Sequence, residues 1–126
     1  MGDHRFPKRA RLLRASEFER VFDARNSASD TWIVLYGAAS ELGHARMGMT
    51  VSRRVGGAVV RNRWKRLLRE AFRMTQIDLP PLDLVCVVRG QLPPTLGQMR
   101  ESLIALTGRI QARMEERGKR REGSRS

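Results

Sequence analysis

From Ser52 to Phe72 the chain reads SRRVGGAVVRNRWKRLLREAF, and residues 53–73 carry eight Lys/Arg against one acid, Glu70. Arg61, Lys65, Arg69 and Arg73 recur every four residues, which on a helix sets successive members about 6 Å apart along the axis. Such a row can follow a phosphodiester backbone. Each phosphate neutralised releases counterions and makes the affinity sensitive to salt. Arg63 and Arg66 add charge, Arg53 and Arg54 stand just upstream, and Asn62 offers hydrogen bonds to ribose, base or backbone. A merely solvated helix face mixes its charge signs, because like charges one turn apart destabilise a helix. This face does not mix them, so nucleic-acid contact is the stronger reading.

A second set is aromatic. Phe18 and Phe22 stand four apart, and Tyr36 lies in the apolar run TWIVLYGA. Two readings are open for these three: packing in the core, or a stacking surface for unpaired bases of the kind sequence-tolerant single-strand binders use. Trp32 and Trp64 read as core anchors, Trp64 from the middle of an apolar stripe.

Little else in the chain could do chemistry. The single cysteine, Cys86, excludes an intramolecular disulfide and a Cys-based zinc site. Within LVCVV it reads as a small buried hydrophobe. His4 and His44 have no neighbours at metal-ligand spacing. Several carboxylates would have to converge for a protein-only metal nuclease, whereas Glu17, Glu19, Asp23, Asp30 and Glu41 fall in helix ends and turns. Neither a catalytic residue nor a metal ligand is expected. No stretch approaches the roughly 18 consecutive apolar residues of a membrane span. The opening MGDHRFPKRARLLR lacks a signal peptide's apolar segment, so a cytoplasmic placement is expected.

The whole chain has 126 residues, 25 Lys/Arg against 13 Asp/Glu, a formal charge of +12 and 40% hydrophobic residues. That suits one domain with a modest core and a polyanionic partner. All but three of the basic residues are arginine, whose planar fork fits phosphate. They concentrate in residues 1–25, 53–73 and 109–126, leaving two nearly neutral stretches between as core.

The elements that must position these groups follow from periodicity. Ser16-Glu17-Phe18-Glu19 resembles a capping box opening a short helix over about 16–25, which Asn26 to Asp30 then break. Residues 31–38 read as a strand, and 46–52 as a second, joined to it by a polar turn in an antiparallel hairpin. Gly48 within that strand marks a bulge or a close backbone approach. Gly56-Gly57 precede an amphipathic helix over 58–75 with Val60, Trp64, Leu67, Leu68, Ala71 and Met74 on its apolar side. LDLVCVVR (82–89), apolar on both faces, reads as a central strand. Thr95-Leu96-Gly97-Gln98 form a capping box for a last helix, striped by Leu96, Met99, Leu103, Leu106 and Ile110. The expected fold is a single α+β domain over 1–114, order α-β-β-α-β-α with room for one further short strand, its small mixed sheet packed by helices. Residues 115–126 are expected as a basic disordered tail.

RVGGAVVRNRWKRLLREAFR closely resembles the signature segment of the bacterial ribonuclease P protein component, with Arg61-Asn62-Arg63, Lys65-Arg66 and Arg69-Glu70 standing at that family's positions. The basic opening through Leu12, SEFERVF, IVLYG, RMGMTVSRR and LDLVCVVR occur in the family's order, so the similarity spans about residues 6–112. Three departures stand out. Trp64 replaces a common β-branched aliphatic, Gly57 replaces a polar or basic residue, and Arg53-Arg54 replace paired lysines.

The resemblance implies a left-handed β-α-β crossover, against the usual hand. It also implies the role of a non-catalytic subunit beside a catalytic RNA that removes the 5′ leader of precursor tRNA with magnesium ions held mainly by RNA. The implied partners are that RNA and precursor tRNA, with no membrane and no protein partner required. By position, Phe18, Phe22, Tyr36 and Ser52 resemble the leader-binding set. Arg53, Arg54, Arg61, Asn62, Arg63, Lys65, Arg66, Arg69 and Arg73 resemble the RNA-binding set. The alternative is a stand-alone RNA-binding module of ribosome-associated or nucleoid type, which would need neither a catalytic RNA nor an aromatic cleft.

Overall fold

The computed structural model describes residues 10–90 and 92–124, with side-chain surroundings to residue 120. His4, the basic opening up to Arg9, and Arg125 lie outside the described residues. The elements are α1 (Ala15–Asp23), β1 (Asn26–Ser29), β2 (Ile33–Ala39), β3 (Arg46–Thr50), α2 (Ala58–Thr75), β4 (Leu82–Val88) and α3 (Leu96–Ser124). The chain is a single α+β domain with a small mixed sheet and three helices.

The sheet order is β1-β2-β4-β3, with β1, β2 and β4 antiparallel in turn and β3 parallel to β4. This corrects the expected hairpin. β2 and β3 run in opposite directions, but β4 lies between them, with Tyr36 opposite Val85 and Val85 opposite Gly48. The physical reason lies in β4. It is buried at every position except the half-buried Val87, and a strand apolar on both faces is stabilised by neighbours on both edges. Parallel neighbours need a long crossover, and α2 supplies it between β3 and β4.

A strand also forms where a break was expected. Asn26–Ser29 has low β propensity, yet it pairs along the β2 edge with Ala28 buried and Asn26 Nδ2 donating to the Gly37 carbonyl at 3.2 Å. Here tertiary pairing overrides local preference.

Two helices cover one face of the sheet. Ile33, Leu35, Leu84 and Cys86 meet Trp64, Leu68 and Phe72 of α2 and Met99, Leu103, Leu106 and Ile110 of α3, all buried. Trp64 is fully buried, as its place in the stripe predicts. The inward side of α2 is rotated from the expected one: Phe72 and Thr75 are buried, and Met74 is half-buried. Cys86 is also fully enclosed, and burial pushes its thiol well above the ordinary range.

Helix α1 lies on the other face, where Val21, Leu12, Ala38 and Val85 make a smaller cluster. Its cap differs from the expected one. The helix begins at Ala15, and Glu17, rather than Glu19, reaches back, its Oε1 accepting from the amides of Leu13 (3.2 Å) and Arg14 (3.1 Å). Glu17 is favoured because its other oxygen faces Arg46 of β3 at 2.8 Å. The second capping box forms as expected, with the Thr95 amide donating to Gln98 Oε1 at 2.9 Å and the Gln98 amide to Thr95 Oγ1 at 3.1 Å.

The tail differs as well. α3 continues past Met114 to Ser124, where a disordered segment was expected. Glu115, Glu116, Arg117, Lys119 and Arg120 are good helix formers, and Glu116 pairs with Arg120 one turn on at 3.1 Å.

Candidate nucleic-acid interface

The face of the sheet under α1 is only partly covered. Phe18 and Tyr36 are half-buried against the Val21–Ala38–Val85 cluster, while Phe22 is 36% exposed. Phe22 and Tyr36 meet edge to face, ring centroids 4.9 Å apart at 79°, a favoured aromatic geometry. The ring of Phe18 closes over Gly48, so the glycine serves a close approach rather than a bulge. Beyond the aromatics, the next row across the sheet is Thr50, Val87 and Val34, all half-buried. Phe18 and Tyr36 are thus backed by the same core cluster between α1 and the sheet, the more exposed Phe22 stands against Tyr36, and the three outline an aromatic groove.

The groove's strand edge leads to the arginines. After β3 come exposed Ser52, Arg53 and Arg54, the last two in a short 3-10 turn ending at Val55. Gly56 follows at φ +154° with Val60 against the place a Cβ would take, so only glycine fits that corner into α2.

On α2, Asn62, Arg63, Arg66 and Arg69 are exposed, and Arg61, Lys65 and Arg73 are half-buried. They do not form one row. Arg69 turns to the sheet side, where with Arg11, Leu12, Leu13, Phe18, Met47, Gly48 and Met49 it lines a crevice of about 190 Å³. Arg63 and Arg66 turn the other way, beside Leu67 and Glu70, onto a groove of about 340 Å³ closed by Pro93, Pro94 and Leu96. Arg73 is already engaged, its Nε donating to Glu70 Oε2 at 3.2 Å and Nη2 to Oε1, and that carboxylate raises its pKa. The buried Nε of Arg61 has no hydrogen-bond partner among the described residues.

A charged network missed by the sequence reading seats α1. Asp83 of β4 is completely buried. Arg46 grips it with two bonds, Nε to Oδ1 at 2.9 Å and Nη2 to Oδ2 at 2.8 Å, while Nη1 reaches Glu17. Arg20 of α1 donates to the same Asp83 oxygen and to the Ala39 carbonyl at 3.2 Å. The amide of Arg14 first, then that of Leu13 and the Arg46 guanidinium, hold the Glu17 carboxyl below the usual range, while Asp83 holds the Arg46 proton more tightly than usual. The signal was present in the sequence. Asp83 is the lone carboxylate in an apolar strand and Arg46 the lone base in residues 26–52, and buried charges are paired.

Comparison with known proteins adds the following. The family model described as Ribonuclease P matches residues 6–111. The ribonuclease P protein component of Photorhabdus laumondii is 46% identical over 85 residues, covering 67% of this chain and 71% of its own. That of Proteus mirabilis is 44% identical over 103 residues, covering 75% and 87%. Among solved structures, the RNase P protein of Staphylococcus aureus superposes with a TM-score of 0.68 at 28% identity, over 77% of this chain and 91% of that one. The Thermotoga maritima protein gives 0.67 at 28% identity, over 75% and 92%.

Proposed function

Because the chain belongs to the Ribonuclease P protein family, we propose that it is the non-catalytic subunit that binds the catalytic RNA through α2 and the 5′ leader of precursor tRNA through the aromatic groove. As a ribonuclease P protein component it is part of an endoribonuclease of tRNA processing with RNA partners. The observation that carries the finer reading is the crevice shared by Phe18 and Arg69. A strand whose bases meet Phe18 has its phosphates beside Arg69 of α2, which lines the same crevice.

In this reading the protein contributes binding and orientation. The half-buried Arg61 and the exposed Arg63, Arg66 and Arg69 neutralise phosphates of the large RNA. Ser52, Arg53 and Arg54 border the leader's path where β3 passes into α2. The bases stack on open ring faces, a sequence-tolerant contact worth about 1–3 kcal/mol per base. Magnesium ions supply the hydrolytic chemistry and are placed on RNA. The carboxylates nearest the groove, Glu17 and Asp83, are taken up by Arg46 and Arg20, and no cluster of three or more metal-ligating side chains occurs among the described residues. The same reading places the protein in the cytoplasm with the tRNA pool; no helix among the described residues is long and apolar enough to cross a membrane.

The test is to add the protein to a bacterial ribonuclease P RNA at low magnesium and follow 5′ processing of precursor tRNA. Site-specific leader release that needs both components is the expected result. Binding without stimulation across several such RNAs would favour a stand-alone RNA-binding module, and cleavage by the protein alone would overturn the account.

A further inference from the structure

The family match ends at residue 111, while α3 runs on to Ser124. Arg113 and Arg117 stand on this continuation, four residues apart and so on one side of the helix. Both reach back to the corner joining α1 to β1. Arg117 Nη1 donates to Asn26 Oδ1 at 2.8 Å and to the Ala24 carbonyl at 3.3 Å, and its Nη2 donates to the Arg25 carbonyl at 3.2 Å. Arg113 donates to the Ser27 carbonyl.

These acceptors need partners. Ala24 caps the C-terminal end of α1, where the last carbonyls have no intrahelical donor and a cation is favoured by the helix dipole. Arg25 sits at φ +56°, the left-handed region that non-glycine residues seldom adopt. A guanidinium that spans two consecutive carbonyls and the next side chain therefore holds a turn that local preference would not choose.

The corner matters because of what it sets on either side. Phe22 lies two residues before Ala24 on α1, and Ser27 of β1 pairs with Tyr36 of β2. The Phe22–Tyr36 contact thus ties α1 to β2, the strand on which β1 pairs, so the corner sets the approach of one ring to the other through β1.

We propose that Arg113 and Arg117 are positioning residues for substrate selection: the continuation of α3 grips the α1–β1 corner, holds Phe22 against Tyr36, and so sets the preference for leader-bearing over mature tRNA. The inference rests on the reading of the aromatic groove as the leader site. It needs no direct contact between these arginines and RNA.

The experiment uses holoenzyme reconstituted with a bacterial ribonuclease P RNA and measures affinity for a precursor tRNA and for the same tRNA without its leader. R113A/R117A is expected to weaken precursor binding about fivefold, the worth of roughly one net hydrogen bond, with mature tRNA binding and the salt slope unchanged. R113K/R117K is expected to lose as much, since an ammonium cannot span the acceptors a guanidinium fork reaches. F22A should show the same selective loss, and adding it to R113A/R117A should cost little more. Restoration by lysine, or equal losses on both tRNAs with a shallower salt slope, would make these arginines phosphate contacts and overturn the proposal. Loss in F22A without loss in R113A/R117A would overturn the positioning role alone. No selective loss in F22A would remove the leader reading and this inference with it.

Discussion

The ring of Phe18 occupies the space that a side chain at residue 48 would fill: a Cβ added to Gly48 would stand 2.9 Å from Phe18 Cε2 and 3.0 Å from Cε1. The aromatic groove is thus closed at one end by a helix residue seated on a bare strand backbone. The absence of a side chain at Gly48 sets how deep the first aromatic lies.

Gly48→Ala is therefore expected to destabilise the fold by overpacking, about 1–3 kcal/mol, and to weaken precursor tRNA binding more than mature tRNA binding. Urea denaturation reads the first effect and paired binding isotherms the second. If the clash with Phe18 is the cause, combining Gly48→Ala with Phe18→Leu should cost less than the two separate losses together. Strict additivity would place the cost elsewhere.

Asp83 is the hinge of a different prediction. Asp83→Ala leaves the Arg46 guanidinium, whose side chain is 16% exposed, without its bidentate partner. Breaking a buried pair from one side typically costs about 3–5 kcal/mol, and a loss of that size is expected in urea denaturation. A loss under about 1 kcal/mol, the worth of an exposed pair, would mean that the network does not seat α1.

The same network gives α1 an acid sensitivity. Glu17 has its pKa lowered in the folded state, first by the Arg14 amide and then by the Leu13 amide and Arg46. A depressed carboxyl stabilises the fold above its unfolded pKa, near 4.3 for glutamate, and loses that contribution as pH falls through the folded value. The stability gap between the native chain and Glu17→Gln should thus be widest at neutral pH and close below about pH 4. Denaturation at pH 7, 5, 4 and 3 reads it, and a gap that widens on acidification would reverse the assignment.

What was legible in the sequence was what short-range pattern records. The bounds of α2, the buried Trp64 and the Thr95–Gln98 cap follow from periodicity and capping chemistry within a few residues. The β3–β4 pairing did not, because the partner of Arg46 to Thr50 lies beyond an intervening helix and a polar turn mimics a hairpin. β1 was hidden for a related reason: Asn26 to Ser29 have turn-like side chains and gain their strand form from the β2 edge. In the groove, periodicity places Phe18 and Phe22 together on one side of a helix, but only the sheet brings Tyr36 against Phe22. The arginine stripe looked like one face, and the packing of α2 divides it into two flanks.

That division gives the last prediction. Arg69 opens on the crevice with Phe18, whereas Arg73 is bound by Glu70 on its own helix. Removing Arg69 should weaken binding to the catalytic RNA and lower the salt slope by about one. The paired change Glu70→Ala with Arg73→Ala removes one acid and one base, so it should leave both affinity and slope nearly unchanged. Arg61→Ala should behave like Arg69→Ala, since the Arg61 Nε has no hydrogen-bond partner among the described residues. Affinity measured for each variant between 50 and 200 mM salt, the range over which phosphate contacts separate clearly, decides the matter. If the Glu70/Arg73 pair loses as much as Arg69, Arg73 leaves Glu70 to meet the RNA, and its ion pair does not take it out of the interface.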